Sequence, residues 1–288
     1  MQNRKCSYNR SKKIMNQKKL FKISIVTPSL NQGKYIEDCI QSVLNQNYPN
    51  FEHIIIDGGS NDGTIDILKK YPHLKWISEP DEGQSDAINK GFKLANGDII
   101  AWLNSDDVYC RNVFSKINNY FTNNKKSMWV CGNVLFTDRN LNIYSRKKPF
   151  YSKFLLHFAS SSVYQPNNFF RIKILDEIGY LKNNFHAIMD REWFSRISNK
   201  YEPHLINLDI AKFRWHDTNK SVSGKNSQHY KRYISESIIV ANYHNNLILK
   251  YILKLIPQFT MISLANISRV LKLLVRFKRI FKPLKEIS

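Results

Sequence analysis

Ile99-Ile100-Ala101-Trp102-Leu103 runs directly into Asn104-Ser105-Asp106-Asp107. Five apolar residues in succession predict a strand buried on both faces, and the polar residues that follow mark its carboxyl end at a sheet edge. Two adjacent carboxylates at that edge repel each other, so the arrangement needs a partner charge or open water. One reading is a divalent cation, since hard oxygen ligands suit Mg²⁺ or Mn²⁺, which take one or two carboxylates together with substrate phosphates. The other is a solvated turn in which Asp107 caps the following helix.

Toward the amino terminus the same alternation repeats. Lys22–Thr27 reads as a strand, and a helix over roughly Tyr35–Asn45 places Ile36, Cys39, Ile40, Val43 and Leu44 on one face. Phe51–Asp57 is a strand that ends in the glycine-rich turn Gly58-Gly59-Ser60-Asn61-Asp62-Gly63-Thr64. A short helix, a strand near Leu74–Ser78 and a helix near Gln84–Ala95 complete the series. Strands alternating with helices imply a mostly parallel, twisted α/β sheet flanked by helices. Ligands of such sheets bind beyond the carboxyl ends of the strands, where Thr27-Pro28-Ser29, Asp57 and Asn104 to Asp107 all fall. After about Cys131 the pattern loosens into Gly132–Thr137, Leu141–Tyr144, a helical Met189–Ser198 and a strand-like Leu205–Trp215.

The composition supports one large domain with an appendage: 288 residues, 42% of them hydrophobic, are enough to bury a sizeable core. Disorder throughout is excluded. Cys6, Cys39, Cys110 and Cys131 are scattered without a Cys-x-x-Cys pair, which points away from a zinc site or disulfide framework and toward a reducing cytoplasm. The first residues lack the apolar run of a secretory signal.

The net charge of +21 is unevenly placed. Residues 1–22 hold 8 Lys/Arg and no acid, and residues 225–288 hold 12 against Glu236 and Glu286. That leaves 24 basic and 21 acidic side chains for residues 23–224, a net of only +3. A nucleic-acid enzyme carries its basic excess on the working domain, so a nucleic-acid partner is not expected. An anionic membrane surface fits the two basic ends better. From Leu247 to Leu284 apolar residues alternate with Lys and Arg, a pattern for a helix lying on a bilayer rather than crossing it. The alternative is a helix packed on the domain with its charged face in water.

Four segments in this order resemble the family 2 glycosyltransferases of the GT-A fold, over about Lys22 to Ser223. They are Val26-Thr27-Pro28-Ser29-Leu30-Asn31, Ile56-Asp57 with the glycine-rich turn, Gly83-Gln84-Ser85-Asp86-Ala87-Ile88-Asn89-Lys90-Gly91, and Asn104-Ser105-Asp106-Asp107. The resemblance implies an inverting transfer from a nucleotide diphosphate sugar, with Mn²⁺ or Mg²⁺ as cofactor. It implies that Pro28, Ser29 and Asp57 line the nucleotide pocket and that Asp106 binds the metal, with Asp107 as the neighbouring candidate. Gln84, Asp86 and Asn89 would approach the donor sugar and diphosphate. Two departures stand out: many relatives have Asp at the positions of Gly58 and Asn104, so Asn104 offers a ribose hydroxyl a hydrogen bond but no charge to a cation.

Met189-Asp190-Arg191-Glu192-Trp193 is similar to the family's acidic catalytic segment, with Asp190 at the position of the base. Successive helical residues lie about 100° apart, so only one of Asp190 and Glu192 can face a site, and Glu192 is free to pair with Lys or Arg. Phe213-Arg214-Trp215-His216 is similar to the family's closing segment, which implies that His216 reaches the metal or diphosphate and that Arg214 neutralises phosphate charge. A packed or hydrogen-bonded His is the plainer alternative.

These readings give a basic segment 1–21, a domain 22–224 with a nucleotide half 22–130 and an acceptor half 131–224, and a basic helical tail 225–288. The expected activity is hexosyl transfer from a UDP-linked donor to a lipid-linked or glycan acceptor in bacterial surface polysaccharide or lipopolysaccharide assembly. It would take place at the inner face of the cytoplasmic membrane. A sugar-phosphate nucleotidyltransferase would share the fold class but should show a glycine-rich loop with a basic residue after the first strand, which is absent. A noncatalytic membrane- or polyanion-binding scaffold would give no reason for paired carboxylates at strand ends.

Overall fold

A computed structural model describes residues 20–158, 163–217, 219 and 227–243. The expectations for residues 1–19, for Ser221-Val222-Ser223 and for the stretch Leu247 to Leu284 lie outside the described residues.

Four strands form the parallel half of the sheet in the order β3 (Leu74–Ser78), β2 (Phe51–Asp57), β1 (Ile23–Ser29) and β4 (Ile99–Trp102). β1 and β4 are buried at every position, as unbroken apolar runs require when helices cover both faces. The crossovers are α1 (Ile36–Leu44), α2 (Thr64–Leu68) and α3 (Gln84–Leu94). α1 buries Ile36, Cys39, Ile40 and Val43. α3 lies hard against β1: a Cβ at Gly91 would stand 2.3 Å from Val26 Cγ1, so only glycine lets the helix approach this closely.

The second half, where the sequence pattern loosens, is mixed. β8 (Asn168–Arg171) inserts antiparallel between β4 and β6 (Trp129–Thr137), β9 (His204–Arg214) runs parallel to β6, and the short β5 (Val108–Tyr109) closes the edge on β9. β7 (Ile143–Lys147) pairs with β6. It starts later than expected because Asp138 Oδ1 accepts the N–H groups of Asn140 and Asn142, and Leu141 adopts φ +67° in the resulting turn.

α4 (Val113–Asn123), α5 (Lys153–Phe158), α6 (Lys173–Ile178) and α7 (Met189–Ser198) complete the layers. Trp193 and Phe194 seat α7 on the sheet, with Trp193 4.9 Å from the Phe170 ring and 5.6 Å from Trp102. α8 (Gln228–Tyr243) joins the same core through the fully buried Val240. The first helix beyond the boundary expected at 224 thus packs on the domain.

Candidate active site

A cavity of about 640 Å³, within the range of small-molecule sites, opens beyond the carboxyl ends of β1 and β4. Pro28 and Ser29 reach it from β1, Asn104 and Asp106 from the loop after β4, Gln84 from the start of α3, Asp190 from α7, and His216 from the loop after β9. The sequence predicted all seven, and the fold brings them to one cavity. Gln84 Nε2 donates to Asn104 Oδ1 at 2.9 Å, which joins the α3 and β4 sides. Ser29 Oγ is buried and has no hydrogen-bond partner among the described residues.

Asp106 Oδ2 is the meeting point of two elements. His216 Nε2 lies 3.1 Å from it, and Asn219 Nδ2 donates to it at 3.1 Å. Asn219 Oδ1 in turn accepts the His216 backbone N–H, and Tyr35 stacks on the His216 ring at 4.6 Å. A carboxylate oxygen and an imidazole nitrogen side by side on a cavity wall form a donor pair suited to Mn²⁺, with substrate phosphates to fill the remaining positions. Among the described residues no group of three or more His, Cys, Asp or Glu could hold a metal by itself. Two donors alone would leave the remaining positions of a cation to a phosphorylated ligand.

Asp107 is a correction. It is fully buried and does not reach the cavity, and its Oδ1 accepts the backbone N–H of Arg214 at 2.9 Å. Burial, and then the charge of Asp106, push its carboxyl well above the ordinary range. A side chain turned behind the strand ties β9 to the β4 loop and is not placed to hold a cation on the cavity side.

Asp57 is also displaced from its expected place. Its Oδ2 accepts from Gly59 N, Ser60 N and Ser78 Oγ, and its Oδ1 from Ser60 Oγ, all within 3.1 Å. With zero exposure, it holds the glycine-rich turn from beneath. Asp86 pairs with Lys90 at 3.3 Å, off the cavity wall. Asn89 is buried between Leu181 and Asn183, where it donates to Leu181 O and accepts the Leu181 N–H, locking α3 to the loop before α7. Arg214 is occupied too: it donates to Asp106 O, Arg139 O and Asp38 Oδ2 and does not line the cavity.

On α7 the two carboxylates part. Glu192 is fully buried, in contact with Arg196 at 2.8 Å and Lys182 at 3.3 Å. Asp190 faces the cavity, half-buried, with Oδ1 accepting the Arg191 N–H at 2.7 Å. Burial raises its carboxyl above the ordinary range, against the lowering effect of Arg191. A carboxylate with raised proton affinity at a solvent-reachable wall suits a general base.

Several lining residues escaped the sequence reading. Asp81 lines the cavity, and a Cβ at Gly58 would stand 2.7 Å from its Oδ2, so a side chain at position 58 would displace it. Phe136, Tyr164, Phe213 and Trp215 form an aromatic wall, with neighbouring ring centroids 5.3 to 6.1 Å apart. Phe136 and Phe213 lie in segments the sequence marked as strand-like, and the pairing of β6 with β9 sets them side by side. His229 and Tyr233 enter from α8. No local motif marks them, because their position depends on where α8 docks.

The model of the family described as Glycosyl transferase family 2 matches residues 24–198. A glycosyltransferase named for teichuronic acid biosynthesis, TuaG of Bacillus subtilis (strain 168), is 40% identical over 100 residues, 33% of this chain and 39% of that protein. The chain thus spans well under half of that relative. The fold is similar to S. aureus TarS 1-349 in complex with UDP-GlcNAc, with TM-score 0.58, 18% identity, and 76% and 66% of the two chains covered. It is also similar to the mannosyltransferase PcManGT from Pyrobaculum calidifontis in complex with GDP-Man and Mn²⁺, with TM-score 0.55, 15% identity, and coverage of 91% and 81%.

Proposed function

The chain belongs to glycosyl transferase family 2, and from that premise we propose that it transfers a hexosyl group, with inversion, from a UDP-linked sugar to a glycan or lipid-linked acceptor. Membership sets aside the nucleotidyltransferase and the noncatalytic scaffold. The observation that carries the finer reading is the convergence of Asp106, His216 and Asp190 on one cavity.

In this reading the nucleotide lies against Pro28 and Ser29, with Asp81 and Asn104 at its edges. Asp106 and His216 would hold a divalent cation, which when bound would supply positive charge to the departing diphosphate. Asp190 accepts the proton of the acceptor hydroxyl as that oxygen forms its bond to the anomeric carbon. The bond from that carbon to the diphosphate oxygen breaks, and the electron pair leaves with UDP. One displacement on the face opposite the leaving group inverts the anomeric centre, and no second nucleophile is required. The aromatic wall favours a glycan acceptor, because flat apolar rings suit the C–H face of a sugar.

The work of such an enzyme would lie in bacterial surface polysaccharide assembly, a reading supported by what TuaG is named for. We place it at the inner face of the cytoplasmic membrane on the strength of its basic ends, each nearby Lys or Arg adding about 1 kcal/mol of attraction to anionic lipid. Among the described residues no helix is long and apolar enough to cross a membrane. Cosedimentation with phosphatidylglycerol vesicles at low salt tests the location, and protein left in the supernatant rejects it. The activity is tested by incubating a panel of nucleotide sugars with Mn²⁺ and with chelator. Metal-dependent release of UDP is expected, and no turnover of any UDP-sugar would sink the donor assignment.

A further inference from the structure

We infer that Glu236, on a helix beyond the segment shared with the family, is a positioning residue for the Asp190 base. The inference rests on the reading of Asp190 given above. Glu236 Oε1 accepts the backbone N–H of His186 at 2.9 Å, and Oε2 accepts those of Ala187 at 2.9 Å and Ile188 at 3.1 Å. These three consecutive residues lead into α7, and Asp190 is that helix's second residue. No side chain of the entry segment caps α7, since Ile188 stands at the cap position. The carboxylate of another helix does the work instead.

The bonds are charge-assisted and shielded, Glu236 being only 6% exposed, and an anion at a helix amino terminus is favoured by the helix dipole. All three residues line the cavity next to Asp190, so the clamp fixes the wall from which the base projects. α8 is itself anchored by the buried Val240 and by the Tyr233 ring, 5.5 Å from the Arg191 guanidinium. The body of α7 is held separately, by Trp193, Phe194 and Ile197 in the core. Loss of the clamp therefore frees residues 186–190 while the helix stays seated. Of the acids after residue 224, only Glu236 and Glu286 exist, and no other acid shares α8 with Glu236.

The test is release of UDP from the UDP-sugar of the panel above that wild type turns over, by full-length Glu236→Ala, Glu236→Gln and Asp190→Asn, with UDP affinity measured in parallel. A catalytic group displaced by about 1 Å loses on the order of a hundredfold in kcat, which is the fall expected for Glu236→Ala. UDP affinity should change less than about twofold, because the clamp acts on the transition state and not on the nucleotide. Glu236→Gln keeps one acceptor oxygen but turns an NH₂ group toward the backbone N–H groups, so its kcat should fall between the two. Amide hydrogen exchange at 186–188 should quicken in both variants. If Glu236→Ala does not fold, Glu236→Gln carries the same comparison. A dead Asp190→Asn beside a Glu236 variant with wild-type kcat overturns the clamp, as does equal loss of kcat and UDP affinity. An active Asp190→Asn instead rejects the base assignment on which the clamp depends.

Discussion

On the cavity wall, Asp106 and Asp190 keep their carboxylates toward space a ligand can enter, and one layer behind them Asp57, Asp107 and Glu192 are sealed inside. Asp106 and Asp107 are adjacent in sequence, and Asp190 and Glu192 are two residues apart. In each pair one member faces the cavity and the other binds structure together. Asp107 receives a backbone N–H of β9, and Glu192 gathers Arg196 and Lys182. In the proposed reading, a carboxylate's role thus depends on which side of a strand end or helix it takes, since its type is the same on both sides.

Exchanging a carboxylate on either side for its amide tests that contrast. The largest effect is expected for Asp190→Asn, which should lower kcat by roughly 10²–10⁴-fold, the usual worth of a general base, with UDP affinity retained. In the wild type the acid limb of kcat should lie above the ordinary carboxylate range. As the proposed base, Asp190 works deprotonated, and burial raises its folded-state pKa, so activity should be lost as pH falls through that raised value. Steady-state rates from pH 4 to 8 check this on the wild type, roughly spanning the carboxylate and imidazole ranges. Glu192→Gln should act on stability, at about 1–3 kcal/mol, since it leaves Arg196 beside a neutral group. Thermal unfolding reads it, and a dead but stable variant would exchange the roles of the two residues. Asp107→Asn should be mildest, below about 1 kcal/mol, because burial already disfavours the charged form and an amide oxygen still accepts the Arg214 N–H. If it abolishes metal-dependent UDP binding, Asp107 belongs to the cavity wall after all.

The parallel half of the fold was legible because β1, β2 and β4 are short apolar runs with helical stripes between them, a local pattern that needs no tertiary information. The mixed half was not, since β8 is four residues, Asn168-Phe169-Phe170-Arg171, whose strand state comes from pairing with β4 and β6. The same division governs the site. Ser29, Asn104 and Asp106 follow strands whose ends could be read, so the turn that presents them could be placed. Asp57 and Asn89 carry equally strong sequence signals, yet neighbours distant in sequence decide their orientation: Ser78 donates to Asp57, and Leu181 engages Asn89. Asp81 and Tyr233 went unread for the complementary reason, as neither has a local pattern and both reach the cavity through packing.

Asp106 is the residue on which the proposed diphosphate chemistry depends most. Isothermal titration with UDP, with and without Mn²⁺, on wild type and Asp106→Ala measures that dependence. Wild type should bind UDP more tightly with Mn²⁺, the variant should bind at the wild-type metal-free level in both conditions, and both should share one unfolding midpoint within about 1 kcal/mol of stability. Metal-dependent binding that survives in a folded Asp106→Ala protein would contradict the account.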